Sequence, residues 1–141
     1  MTNNIIAAID PYNKDSWPMV SKALKPYANS GNTIHLVHVV PEPSALGQFS
    51  QFVPKGFAQS HRKEAKDLLG EMAQQIGPDV TVKMHLKSRH VHVEIQEFAH
   101  EIEAALIIVG AYSDALKDYL LGPKAARIAR HAECSVLIAR P

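Results

Sequence analysis

The stretch LIIVGAYSDALKDYLLGPK, residues 106–124, sets an apolar run, a glycine, a mixed loop and a glycine-proline pair in succession. The run Leu106 to Val109 has no polar alternation, as expected of a strand buried on both faces inside a parallel sheet. Gly110 ends the run. Gly122-Pro123 opens a helical pattern from Ala125 to His131, with proline at the favoured first helical position. A strand, a glycine-bounded loop and a helix N-terminus form the arrangement in which many α/β proteins hold a phosphate.

Working outward, the same grammar repeats. Ile5 to Ile9 is a short apolar run that stops at Asp10-Pro11. Trp17, Val20, Leu24 and Tyr27 then recur at helical spacing, and Pro26 requires that helix to bend or end nearby. Thr33 to Val40 reads as a second strand. Residues 44–57 combine Gly, Pro and Ser with Phe49, Phe52 and Phe57; packing is the expected role of these rings, with a cover over the crevice second. A long helix follows from Ala58, with Ala65, Leu68, Leu69, Met72 and Ile76 on one stripe and Gly77-Pro78 as its stop. Val80, Val82, Met84 and Leu86 alternate with polar residues, the pattern of an edge strand. Val91, Ile95, Phe98, Ala99 and Ile102 mark a third helix, and Ser135 to Ala139 a fifth strand.

Strict strand–helix alternation implies a parallel sheet with helices on both faces and right-handed crossovers. Such a sheet takes its ligand at the carboxyl ends of strands where the winding reverses. Those ends carry Asp10, Val39-Val40 and Gly110.

The chain of 141 residues suits a single domain spanning 1–141. Its net charge of +1 makes no electrostatic case for nucleic acid or a membrane surface. The single cysteine, Cys134, excludes an intramolecular disulfide framework and a cysteine-based zinc cluster. With no basic leader and no apolar run near the roughly 20 residues that span a bilayer, a cytoplasmic protein is expected. His35 and His38, three apart on a strand, point to opposite faces and cannot chelate together. His90 and His92 share a face only if extended, no HExxH pattern occurs, and no metal site is expected. No GxSxG elbow, Walker A loop or paired acid and base marks a catalytic centre.

AAID near the start, LVHVV in the second strand, and LIIVGAYSD, LLG and IARHAECSVLIARP in the last third together resemble the universal stress protein family. The resemblance covers almost the whole chain. It implies a five-stranded Rossmann-like doubly wound sandwich, strand order 3-2-1-4-5, commonly a homodimer joined along the last strand, here Ser135–Ala139. Many members bind ATP or AMP, with a strand-one acid and a strand-two valine backbone on the adenosine. Those positions match Asp10 and Val39. The phosphates of such members rest on a loop of Gly, two residues, Gly, nine residues, Gly, then Ser or Thr, often with a hydroxyl two residues later.

Gly110 and Gly122 match the first and last glycines of that loop. Ser113 replaces the middle one, eight residues separate it from Gly122, Pro123 takes the hydroxyl's place and Ala125 the later one's. Arg89 and Ala105 stand where members often have glycine and aspartate. Similar departures mark the subgroup related to universal stress protein A, which lacks the ATP loop. Proline removes a backbone donor at the helix N-terminus, and the absent hydroxyls remove two more contacts. Three such losses weaken binding by roughly 1.5–4.5 kcal/mol, about one to three decades. Asp114 adds a repulsive charge, while Lys117 and Lys124 offset it. Two readings stay open: a regulatory stress-response module with little or no ATP binding, and an ATP- or AMP-binding member with an atypical loop and slow ATPase activity. The candidate nucleotide residues are Asp10, Val39, Gly110, Ser113, Gly122 and Lys124. Plainer roles stand beside two of them, Asp10 as a turn cap and Val39 as core, and Cys134 reads as an inert buried thiol.

Overall fold

The computed structural model describes residues 3–29, 31–40, 57–88, 90–111 and 123–141. Strands β1 (Asn3–Ala8), β2 (Asn32–Val40), β3 (Thr81–Ser88), β4 (Leu106–Gly110) and β5 (Ser135–Ala139) alternate with helices α1 (Trp17–Leu24), α2 (Phe57–Ile76), α3 (Val91–Glu101) and α4 (Pro123–His131). All neighbouring strands pair in parallel, in the order β3-β2-β1-β4-β5 that the family resemblance implies. Arg89 and the aromatic segment with Phe49 and Phe52 lie outside the described residues.

The period of two sorts the sheet into two cores. Ile5, Ala7, Ile34, Leu36, Leu106 and Ile108 pack against Trp17, Met19, Val20 and Leu24 of α1 and Leu69 and Met72 of α2. Ile6, Val37, Val39, Ile107 and Val109 face Ile95 and Phe98 of α3 and Ala125 and Ile128 of α4. Ile6, Ala7, Ile107 and Ile108 are all 0% exposed, so β1 and β4 are buried on both faces, as their unbroken apolar runs require.

Proline and glycine act as the sequence suggests. Pro18 sits in the first turn of α1, and the α-helix ends at Leu24, before Pro26, which lies in a 3₁₀ turn over Lys25–Tyr27. Gly77 follows α2 at φ 134°, a conformation open to glycine. His90 is the extended residue that precedes α3, without a side-chain cap hydrogen bond, and His92 lies within the helix, so the two do not share one extended segment.

The edge strand β3 and its neighbours carry a polar chain on the α3 face. His35 Nε2 lies 3.0 Å from Asn4 Oδ1, an acceptor only, so His35 donates there. His35 Nδ1 is then a lone-pair acceptor, and His85 Nε2–H donates to it at 2.9 Å. Asn4 Nδ2 in turn donates to the Ile102 carbonyl at 2.8 Å. Hydrogen bonds thus run from β3 through β2 and β1 to the end of α3, and they fix both tautomers. Phe98 packs against both rings, and Lys87 Nζ lies 4.6 Å from the Phe98 centroid.

This chain needs a neutral His35. Burial, then His85 and Lys83, push its pKa from 6.5 to about 4. Burial also lowers His85, followed by Lys87 and Lys83. Between those limits the unfolded chain binds more protons than the folded one, so stability falls as pH falls through this window. Urea unfolding should show a loss of about 2–3 kcal/mol attributable to His35 between pH ~6.5 and ~4, and no such loss above that range. His35→Gln, whose amide offers one donor and one acceptor, should flatten that slope; an unchanged slope would assign the pH dependence elsewhere.

Candidate functional site

The winding reverses between β1 and β4, which opens a crevice at the carboxyl ends of the strands. Parallel pairing continues one residue past β1, where Ile9 N–H donates to the Val37 carbonyl at 2.9 Å. Asp10 then stands exposed at the turn. Its Oδ1 accepts the Tyr12 N–H at 3.0 Å and its carbonyl accepts the Asn13 N–H at 3.1 Å. Asp10 therefore does cap the turn into the first helical segment, by the hydrogen bonding to backbone that favours Asp in turns. Among the described residues it forms no ion pair.

Val39 is 7% exposed, and its side chain belongs to the core on the α3 side. Gly110 has a packing reason of its own. A Cβ there would meet Met19 Cε at 3.0 Å and Val20 Cγ2 at 3.8 Å, so α1 is seated directly over it. Lys124 is exposed in the first turn of α4. Ser113 and Gly122 lie outside the described residues.

A constellation that spacing could not reveal occupies the α2 side of this end. His38 is 8% exposed, and its Nδ1 lies 3.2 Å from the Ile9 carbonyl. The carbonyl can only accept, so Nδ1 carries the proton and Nε2 is a buried acceptor with no partner among the described residues. Tyr12 and His61 stack at 4.8 Å, and Tyr12 meets the His38 ring edge-on at 6.1 Å. The Tyr12 hydroxyl donates to the His61 carbonyl at 2.9 Å and lies 3.2 Å from His61 Nδ1, tying the turn after β1 to α2. Burial, then the Glu64 and Asp10 carboxylates, raise the Tyr12 phenol above its ordinary range.

Burial lowers the His38 pKa, while the Asp10 carboxylate and the Ile9 carbonyl oppose the shift; His61 and Lys124 act with burial. His38 thus senses the charges of Asp10, His61 and Lys124. Of the predicted residues, Asp10 and Lys124 each act electrostatically on His38, and Val39 and Gly110 lie at the ends of β2 and β4. His38, Tyr12 and His61 were not among the predicted site residues. The only sequence signal was a histidine at the end of an apolar strand; the pairing of Tyr12 with His61, 49 positions apart, left none. The arrangement offers one carboxylate, one ammonium and the Tyr12–His61 ring pair, with the His38 Nε2 acceptor buried behind them. Among the described residues no three His, Cys, Asp or Glu side chains are placed to hold a metal ion, and no helix is long and apolar enough to cross a membrane.

Comparison with known proteins bears on this reading. The universal stress protein family matches residues 1–140. Universal stress protein G of Escherichia coli O157:H7 is 27% identical over 143 residues, covering 99% of this chain and 100% of that protein. A universal stress protein solved in complex with cAMP has 20% identity and a TM-score of 0.64, covering 98% of this chain and 96% of that one. The universal stress protein from Archaeoglobus fulgidus in complex with dAMP has 16% identity and a TM-score of 0.59, covering 98% of each chain. At these identities the two solved structures share the fold with this chain.

The packing of Gly110 separates steric from ligand roles. Gly110→Ala asks only the flexible Met19 methyl to move and should change stability by less than about 1 kcal/mol. Gly110→Val presses branched atoms on α1 and should cost about 1–3 kcal/mol. Equal effects of the two substitutions in thermal unfolding would refute this account of the close approach.

Proposed function

The chain belongs to the universal stress protein family, and on that premise we propose that it works as a dimeric, cytoplasmic stress-response module of the subgroup without an intact ATP loop, binding adenine nucleotides weakly or not at all. One observation carries this reading: α4 begins at Pro123. A helix N-terminus holds phosphate with its free N–H groups, and the first of them is missing here. Ala125, where a further hydroxyl is frequent in nucleotide-binding members, is 5% exposed and packed in the core, so that position turns inward. Ser113 and the shortened spacing to Gly122 add to the loss.

A second reading, an ATP- or AMP-binding member with an atypical loop and slow ATPase activity, draws support from the crevice itself. Asp10, the Val39 strand end, Gly110 and Lys124 are the candidate residues for it, and relatives of the same fold were solved with cAMP and dAMP. Calorimetric titration with ATP and AMP in the presence of Mg²⁺ separates the two. The proposal expects dissociation constants near millimolar or weaker, after the loss of about one to three decades. Stoichiometric binding at micromolar concentration, or nucleotide retained through purification, would overturn it in favour of the second reading.

The two sheet edges support the dimer. The β3 edge carries Lys83 and Lys87, charges that discourage strand addition. The β5 edge is the short, uncharged segment SVLIA, with Val136, Leu137 and Ile138 half-buried in the isolated chain. An unprotected strand of this kind pairs readily, and a two-fold pairing of Ser135–Ala139 with its copy closes the β5 edge of each protomer. Light scattering at about micromolar concentration should give twice the chain mass of 15.5 kDa; a monomer there contradicts the proposal.

A further inference from the structure

The sheet ends in two edges that differ in charge. The β5 edge is uncharged, whereas β3 carries lysines. β3 pairs with β2 along its whole length, Thr81–Ser88, and no strand lies beyond it among the described residues. In a parallel ladder alternate residues turn both N–H and C=O toward one neighbour, so the remaining residues of β3 present theirs outward. No other described part of the backbone takes these groups. Three features of the edge define the strand that it suits.

The first is a row of basic groups. Side chains alternate between the faces, so Lys83, His85 and Lys87 share the α3 side. The His85 ring lies 4.5 Å from Phe98, centroid to centroid, and Lys87 Nζ lies 4.6 Å from the same centroid. Burial, then Lys87 and Lys83, lower the His85 pKa, with Glu101 opposing them. The two ammonium groups therefore act on one strip of the edge.

The second is that neither lysine has a counter-ion. The ion pairs among the described residues are Lys14–Glu71 and His100–Glu133. Lys83 is exposed, but Lys87 is partly buried and rests on an aromatic ring rather than on a carboxylate. Burial penalises a charge that has no partner, and an anionic neighbour offsets that penalty.

The third lies on the reverse face. Val82 and Leu86 pack on the core beneath α1 and α2, while Met84 between them is 41% exposed. An apolar residue on an adjacent strand would cover it. A second copy of β3 would instead set lysine against lysine, and like charges facing across strands repel. The charges that keep a copy of this strand away thus favour an acidic one. Lys83 and Lys87 stand four residues apart, about 13 Å along a strand. Matching carboxylates therefore fall at positions i and i+4, with apolar residues at i+1 and i+3 beside Met84 and Leu86.

We propose that the β3 edge is a docking surface for an extended acidic segment of another protein, which adds to the sheet as a further strand. Its carboxylates at i and i+4 face Lys83 and Lys87, and its apolar side chains cover Met84. Main-chain hydrogen bonds hold such a strand and the alternate side chains select it. This surface is separate from the strand-end crevice and from the β5 edge, and it does not rest on the nucleotide reading.

The test is a ¹⁵N NMR titration of the full chain with the peptide acetyl-Ser-Glu-Val-Thr-Val-Glu-Ser-amide, whose palindromic order fits the edge in either strand direction. Backbone signals of Thr81–Ser88 should shift with half-saturation at about 0.3–3 mM, the range of a short, weakly held strand. At saturation, amide hydrogen exchange should slow by about threefold or more at alternate residues of β3, which adsorption on the lysines alone would not produce. The same peptide with Gln for both Glu should bind at least about threefold more weakly. Lys87→Gln should weaken the acidic peptide about two- to fivefold and leave the Gln peptide unchanged. No shift by about 10 mM, equal binding of the Gln peptide, or shifts without the alternate slowing of exchange would each overturn the proposal. Concentration-dependent shifts of the same amides without peptide would give the edge to a second copy of the chain and overturn it as well.

Discussion

Strand β1 is hydrogen-bonded along both edges, to β2 and to β4, and covered on both faces. The rest of the structure depends on that double enclosure. A buried N–H or C=O left unpaired costs as much as a lost hydrogen bond, so both ladders must close in register. Ile5 and Ala7 then turn to α1 and α2, and Ile6 to α3 and α4. Because the chain leaves β1 for one neighbour and enters the other through α3, the connections diverge at the carboxyl ends. Asp10 emerges at that divergence, and α1 follows closely enough to press Met19 on Gly110.

Double burial also explains the treatment of the two interior histidines. His35 and His38 point to opposite faces, as their spacing requires, and both are held neutral by burial. His35 is fully engaged, its two nitrogens joined to His85 and Asn4. His38 uses one nitrogen to fix the Ile9 carbonyl and leaves the other as an acceptor. The first therefore stitches strands together, whereas the second contributes an unfilled polar group beside the crevice. The difference comes from what β3 offers one face and the turn after β1 offers the other.

The two ends of the sheet differ in electrical character. At the carboxyl ends of the strands stand Asp10 and, in the first turn of α4, Lys124, both within electrostatic reach of His38. Toward the amino ends, two helix C-termini meet with Glu103 and Glu133 beside them. Parallel topology makes this unavoidable: with every strand running one way and every helix returning, all helix dipoles align. What varies is the set of side chains added at each end, and at the amino end carboxylates reinforce the backbone charge.

The sequence by itself determined the element order, the two fully buried strands, the edge character of β3, the helix breaks at Pro26 and Gly77, and the strand ends that carry Asp10, Val39 and Gly110. These follow from local rules: apolar runs and periods of two and 3.6, and the fixed backbone demands of proline and glycine. Ser113, Pro123 and Ala125 stand out only against the loop pattern of the family that the chain resembles, although proline's missing N–H is its own chemistry. Only the tertiary structure decided that Tyr12 stacks on His61, that His85 donates to His35, that Met19 explains Gly110, and that Glu103 and Glu133 share a cleft. Those pairs are separated by 30 to 91 positions. No periodicity links them, because their contact is set by the twist of the sheet and the seating of helices upon it.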